Sequence, residues 1–117
     1  MPMNKFNARK CKCQFGHVHD SKKEAERCTY LHYQQKQGLI SRLETQKEFE
    51  LIPTQKCAGY KTERAVKYIA DFYYVSNCDG EEVVEDVKGY KRGAAYAVFA
   101  IKRKLMLHKY GIHVREI

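Results

Sequence analysis

Three residues in the middle of the chain have the types and spacing needed to hydrolyse a phosphodiester. Asp71 lies in a run rich in β-branched and aromatic residues, Val66 to Val75, and Asp86 and Lys88 lie in a second run beyond the turn Asn77-Cys78-Asp79-Gly80. If Ser76 closes that hairpin against Glu81, Asp71 falls opposite Asp86, and Lys88 projects from the same face two residues on. Like charges facing each other across a strand pair repel unless a cation sits between them. A few hard carboxylate oxygens, with the other positions left to water and phosphate, suit Mg²⁺ or Mn²⁺ better than Zn²⁺. Such an ion activates water and neutralises charge building on a phosphate, and a neighbouring ammonium group stabilises the same charge. Two blander readings stand beside this one. Glu81, Glu82, Glu85 and Asp86 would also make a solvated edge-strand face, and a bulge in the turn would send the two aspartates to opposite faces.

A second group of residues suggests a metal of different character. Cys11, Cys13, His17 and His19 crowd around Gly16, and Cys28 and His32 are one helical turn apart. Thiolates and imidazoles at such spacings build tetrahedral, structural Zn²⁺ sites, and the expected ligands are Cys11, Cys13, Cys28, His32 and His17. Buried thiols with surface histidines are the equally common alternative. An odd count of five cysteines argues for thiols or metal ligands over a disulfide framework, with Cys57 and Cys78 as ordinary thiols.

The elements that must position these groups follow from the hydrophobic pattern. A helix starts at Asp20 or Ser21, where Ser21 and Glu24 fit a capping box, and stops near Gly38. The pattern from Leu39 loosens into alternation, giving a strand centred on Lys47 to Ile52 and ended by Pro53. Strands over Val66 to Val75 and Glu81 to Lys88 form the hairpin. A second helix runs from Ala94 to Tyr110, with Val98, Ile101, Leu105 and His108 or Lys109 on one face and Gly111 at its end, and Ile112 to Ile117 reads as a last strand. The order is α-β-β-β-α-β: an α/β fold with a mixed sheet flanked by helices, in which the helical crossover permits a parallel final strand. At 117 residues the chain has the size of one domain, divided into a Cys/His-rich extension, 1–19, and a core, 20–117.

Charge points to the partner. The net charge is +8, and residues 88–117 carry eight Lys or Arg against a single acid, Glu116. A one-sided basic surface is what a polyanion rewards, since each neutralised phosphate releases condensed counterions. The longest nearly apolar stretch, Ala94 to Ile101, is far below the ~20 residues of a membrane-spanning helix. The basic start, Met1 to Lys10, is not followed by the apolar run of a secretory signal, so the expected location is cytoplasmic.

Asp71, following Ala70, then Asp86-Val87-Lys88, in the order α-β-β-β-α-β, resembles the PD-(D/E)xK nuclease superfamily, whose members include restriction enzymes, Holliday-junction resolvases and a transposase endonuclease subunit. More narrowly, Asp20-Ser21-Lys22-Lys23-Glu24-Ala25-Glu26, Tyr68-Ile69-Ala70-Asp71-Phe72 and Val84-Glu85-Asp86-Val87-Lys88-Gly89 are similar to a family of small phage and prophage proteins placed in that superfamily. The resemblance spans Asp20 to the C-terminus and implies a restriction-endonuclease-like core that cuts DNA, a structure-specific substrate such as a Holliday junction, and a homodimer. It makes Asp71 and Asp86 the Mg²⁺ ligands and Lys88 the catalytic lysine. It also implies a first-helix acid, for which Glu24 is the choice and Glu26 the reserve. Lys91, Arg92, Lys102 and Lys104 become candidate DNA contacts, and Gln46 a residue that could line the site. Ala70 stands where the superfamily's name has proline.

Overall fold

A computed structural model describes residues 11–16, 18–19, 21–89 and 91–117. In chain order the elements are β1 (Cys11–Lys12), β2 (Val18–His19), α1 (Lys22–Lys36), β3 (Ile40–Ile52), β4 (Val66–Ser76), β5 (Glu82–Asp86), α2 (Ala94–Tyr110) and β6 (Arg115–Glu116). From α1 onward this is the expected α-β-β-β-α-β order, preceded by a small antiparallel hairpin in which Cys11 faces His19 and Lys12 faces Val18. A four-stranded sheet has the order β3-β4-β5-β6, and β5 pairs with β6 in parallel, Glu85 with Arg115 and Asp86 with Glu116. The chain is therefore a mixed α/β protein. It divides into two compact units, Met1–Leu43 with Tyr74–Glu82, and Glu44–Tyr73 with Val83–Ile117, so that β3 and β4 each run through both.

In the first unit, α1 begins as the capping box predicts. Ser21 is extended (φ −150°) and its Oγ accepts the Glu24 amide at 3.1 Å. Glu24, Ala25, Cys28 and Leu31 form the buried stripe, at the three- and four-residue spacing of one helix face. The helix ends in a Schellman motif: the Leu39 amide donates to Gln34 O at 3.1 Å and the Gly38 amide to Gln35 O at 3.0 Å. Gly38 has φ +79°, and a Cβ built there would meet nothing within 4 Å, so only the left-handed backbone demands glycine. Gly38→Ala is accordingly expected to cost about 1–2 kcal/mol, readable as a lower urea midpoint with an unchanged slope.

In the second unit the core gathers Phe49, Leu51, Tyr68, Ala70, Phe72, Tyr73, Val83, Val84, Phe99, Met106, Ile112 and Val114. Two findings differ from the expected pattern. Strand β3 starts at Ile40, well before Lys47, and contains two left-handed residues, Arg42 (φ 58°) and Gln46 (φ 53°). Helix α2 buries Phe99 and Met106, two turns apart, whereas Val98 and Ile101 of the expected face are more than half exposed. From the first turn of α2 the Tyr96 hydroxyl donates to Glu116 Oε1 at 2.6 Å, and from its middle Arg103 Nη1 donates to Glu116 Oε2 at 3.0 Å, tying α2 to β6. The Tyr96 and Arg103 hydrogen bonds hold the Glu116 carboxyl below its ordinary range against the opposing effect of burial.

Candidate active site

The hairpin that carries the acids closes as its spacing predicts: the Ser76 amide donates to Glu81 O at 2.9 Å, and Gly80, left-handed at φ 74°, donates to Ser76 O at 2.8 Å. Strand β5 is an interior strand with β4 on one side and β6 on the other, so Glu85 and Asp86 are buried, at 0% and 6% exposure. That removes the solvated edge-strand reading for these two residues. Acids are seldom buried unless something compensates them.

The compensating groups are particular. Lys88 Nζ lies 2.7 Å from Asp86 Oδ1 and 3.8 Å above the centre of the Phe99 ring, so the ammonium is held between a carboxylate and a π face. The Tyr68 hydroxyl donates to the other oxygen, Asp86 Oδ2, at 2.6 Å. The Asp71 carboxylate accepts the amide of Val87, the residue between Asp86 and Lys88, at 2.8 Å, and Gln46 Nε2 approaches its second oxygen at 3.4 Å. The functional groups of Asp71, Asp86 and Lys88 thus gather on one short segment of chain. Burial, then the charge of Asp86 and its hydrogen bond, then the charge of Asp71, all push the Tyr68 phenol upward, so a single hydroxyl feels both carboxylates.

Sequence reasoning did not find Tyr68 or Phe99 as parts of this site and gave Gln46 only a marginal place. Tyr68 reads as an ordinary core position in an alternating strand, and nothing in its spacing reveals a buried carboxylate at its hydroxyl. Gln46 is marked only by the structure, as a non-glycine residue in a left-handed conformation beside an acid, a strained position that no sequence pattern reveals. Of the candidate DNA contacts, Lys91, Arg92 and Lys104 are exposed and Lys102 is half-buried.

The soft-ligand group takes a different membership from the expected one. Among the described residues, Cys13, His19 and Cys28 offer ligand atoms all within 4.8 Å of one another, and all three residues are buried. This group could hold a metal ion. His19 takes the part expected of His17, which lies outside the described residues. Cys11 and His32 are not in the group; the His32 ring stacks on Phe15, with centroids 4.5 Å apart. The five cysteines are thiols, Cys57 and Cys78 exposed. Burial, followed by the neighbouring Cys13 thiol and the charge of Glu24, pushes the Cys28 thiol up to about 12. Glu24, the expected first-helix acid, is itself buried, and its Oε2 lies 2.8 Å from His19 Nδ1.

Among the described residues no helix is long and apolar enough to cross a membrane. In comparisons with known proteins, a family model described as "Protein of unknown function (DUF1064)" matches residues 3–116. No curated protein and no solved structure matches the chain.

Proposed function

From the premise that this chain belongs to the DUF1064 family, we propose that it is a cytoplasmic, Mg²⁺- or Mn²⁺-dependent DNA endonuclease, with Asp71, Asp86 and Lys88 as its hydrolytic residues. The observation that carries this reading is the burial of Asp86 in an interior strand with its two oxygens turned to Lys88 and Tyr68, while Asp71 is bonded to the amide between Asp86 and Lys88. Two carboxylates brought to the same short segment of chain, with an ammonium group on one of them, are a donor set that a divalent cation would bridge.

The donor set fits such an ion: Asp71 and Asp86 offer hard carboxylate oxygens. When bound, the ion would supply Lewis acidity and charge neutralisation at the scissile phosphate. The chain's own residues supply the rest. Lys88 lies against Asp86 and Phe99, and in this reading its ammonium would stabilise negative charge on the phosphate oxygens as water adds to phosphorus and the P–O bond to the leaving oxygen breaks. Tyr68 keeps Asp86 oriented, and Gln46 and the Val87 amide do the same for Asp71. The basic residues after Gly89, Lys91, Arg92, Lys102 and Lys104, supply a phosphate-binding surface. The Cys13-His19-Cys28 group takes a second, structural cation in this proposal, and its sulfur and imidazole donors favour zinc.

The test is a cleavage assay of the purified chain on linear, nicked, flapped and four-way-junction DNA, with Mg²⁺, Mn²⁺ or EDTA. Metal-dependent nicking of at least one substrate is the expected result, and preference for the junction would support the resolvase-like form. Binding without cleavage under every divalent metal would overturn the enzyme and leave a DNA-binding protein.

A further inference from the structure

We propose that Glu24 is a positioning residue of the zinc site: its carboxylate holds the His19 imidazole through Nδ1 so that Nε2 faces the metal beside the Cys13 and Cys28 sulfurs. This rests on the zinc reading of the Cys13-His19-Cys28 group and is independent of the hydrolytic reading of Asp71, Asp86 and Lys88.

The chemistry runs from the carboxylate outward. An ionised carboxylate only accepts hydrogen bonds, so the 2.8 Å contact requires the proton of a neutral His19 to sit on Nδ1. The remaining lone pair is then on Nε2, which is buried. Metal-bound histidines commonly donate their second ring nitrogen to a carboxylate in this way, which fixes the tautomer and raises the basicity of the ligating nitrogen. The backbone already places the pieces. Ser21 caps α1 through the Glu24 amide, and the Glu24 side chain reaches His19 of β2. Cys28, one turn further along α1, lies on the same buried stripe as Glu24. The Cys13 end of the hairpin is bound to α1 by the Gln14 amide, which donates to Thr29 Oγ1 at 3.2 Å, and by the Tyr33 hydroxyl, which donates to Gln14 Oε1 at 3.0 Å.

Two-residue strands cannot stabilise a hairpin by themselves. A cation bonded to the hairpin through Cys13 and His19 and to α1 through Cys28 supplies that stability, with metal-binding free energy acting as folding free energy.

The experiment uses the full chain. Wild type, Glu24→Gln and Cys28→Ser are each stripped and reloaded with Zn²⁺, or with Co²⁺ as a coloured substitute, and affinity is read by competition with a chromophoric chelator. Wild type should take one ion per chain and show thiolate-to-Co²⁺ absorption; Cys28→Ser should lose most of that band. Glu24→Gln should keep the band and bind zinc about 10–100-fold more weakly. In the wild type, ¹⁵N spectra of His19 should show Nδ1 protonated and Nε2 shifted by the metal, a readout that does not depend on any variant folding. Zinc affinity unchanged in Glu24→Gln, or a His19 protonated on Nε2, would overturn the positioning role while leaving the zinc site standing. A wild type that takes up no zinc would overturn the site itself. In neither case is the hydrolytic reading touched.

Discussion

Asp71→Asn should lower metal-dependent DNA cleavage by about a hundredfold to a thousandfold or more, the loss typical of removing one preorganised electrostatic partner from a catalytic site, while leaving the fold intact. Asparagine has nearly the same shape, and its carbonyl oxygen can still accept the Val87 amide that Asp71 now accepts at 2.8 Å. What disappears is one negative charge at the proposed cation site. Lys88→Ala should have a comparable effect on rate, with a cost in stability as well, because the largely buried Asp86 then loses its 2.7 Å partner and keeps only Tyr68. Thermal melting and DNA binding measured alongside cleavage separate the two contributions. Both variants should bind DNA about as well as the wild type, and in both binding should weaken steeply with salt. A fully active Asp71→Asn would remove the hydrolytic role from this residue, and with it the two-acid centre.

How much of this was legible beforehand depends on how local each determinant is. Strand β4 and the turn after it follow from alternation and from Asn77-Cys78-Asp79-Gly80, signals contained within a dozen residues, and the observed Ser76–Glu81 closure agrees. The capped start of α1 and its glycine end are equally local. The burial of Glu85 and Asp86 is not. It depends on β6, a strand of two residues that arrives after the whole of α2 and turns β5 into an interior strand. A run of acids with no visible cover reads as an exposed edge until that partner is known. The early part of β3 was hidden because its half-buried positions are Ser41, Leu43, Thr45 and Lys47, mostly polar side chains that give the alternation no apolar signal. The face of α2 was misread for a related reason. Val98, Ile101 and Leu105 have the right spacing, but Phe99 and Met106 are the side chains buried, and apolarity alone does not choose between adjacent stripes. His19 and His17 are likewise indistinguishable by spacing; the membership of His19 rests on its ligand atom lying within 4.8 Å of the Cys13 and Cys28 sulfurs.

Phe72→Ala should be the most damaging single change to the fold. Phe72 is fully buried at 0% exposure in β4. Truncating a buried phenylalanine removes its transfer free energy and leaves a cavity that its surroundings only partly fill, together about 3–5 kcal/mol. Small domains have only about 5–15 kcal/mol in total. The urea midpoint should therefore fall sharply with little change in slope, and Phe72→Leu, which keeps much of the apolar volume, should fall far less. A loss below about 1 kcal/mol would mean that the β4 core is not packed as described. Phe72 also adjoins Asp71 in the chain, so the two variants distinguish the causes of inactivity. Cleavage lost in Phe72→Ala should return as far as cooling or a stabilising osmolyte restores the folded fraction. Asp71→Asn, folded throughout, should gain nothing from either treatment, because what it lacks is charge at the site.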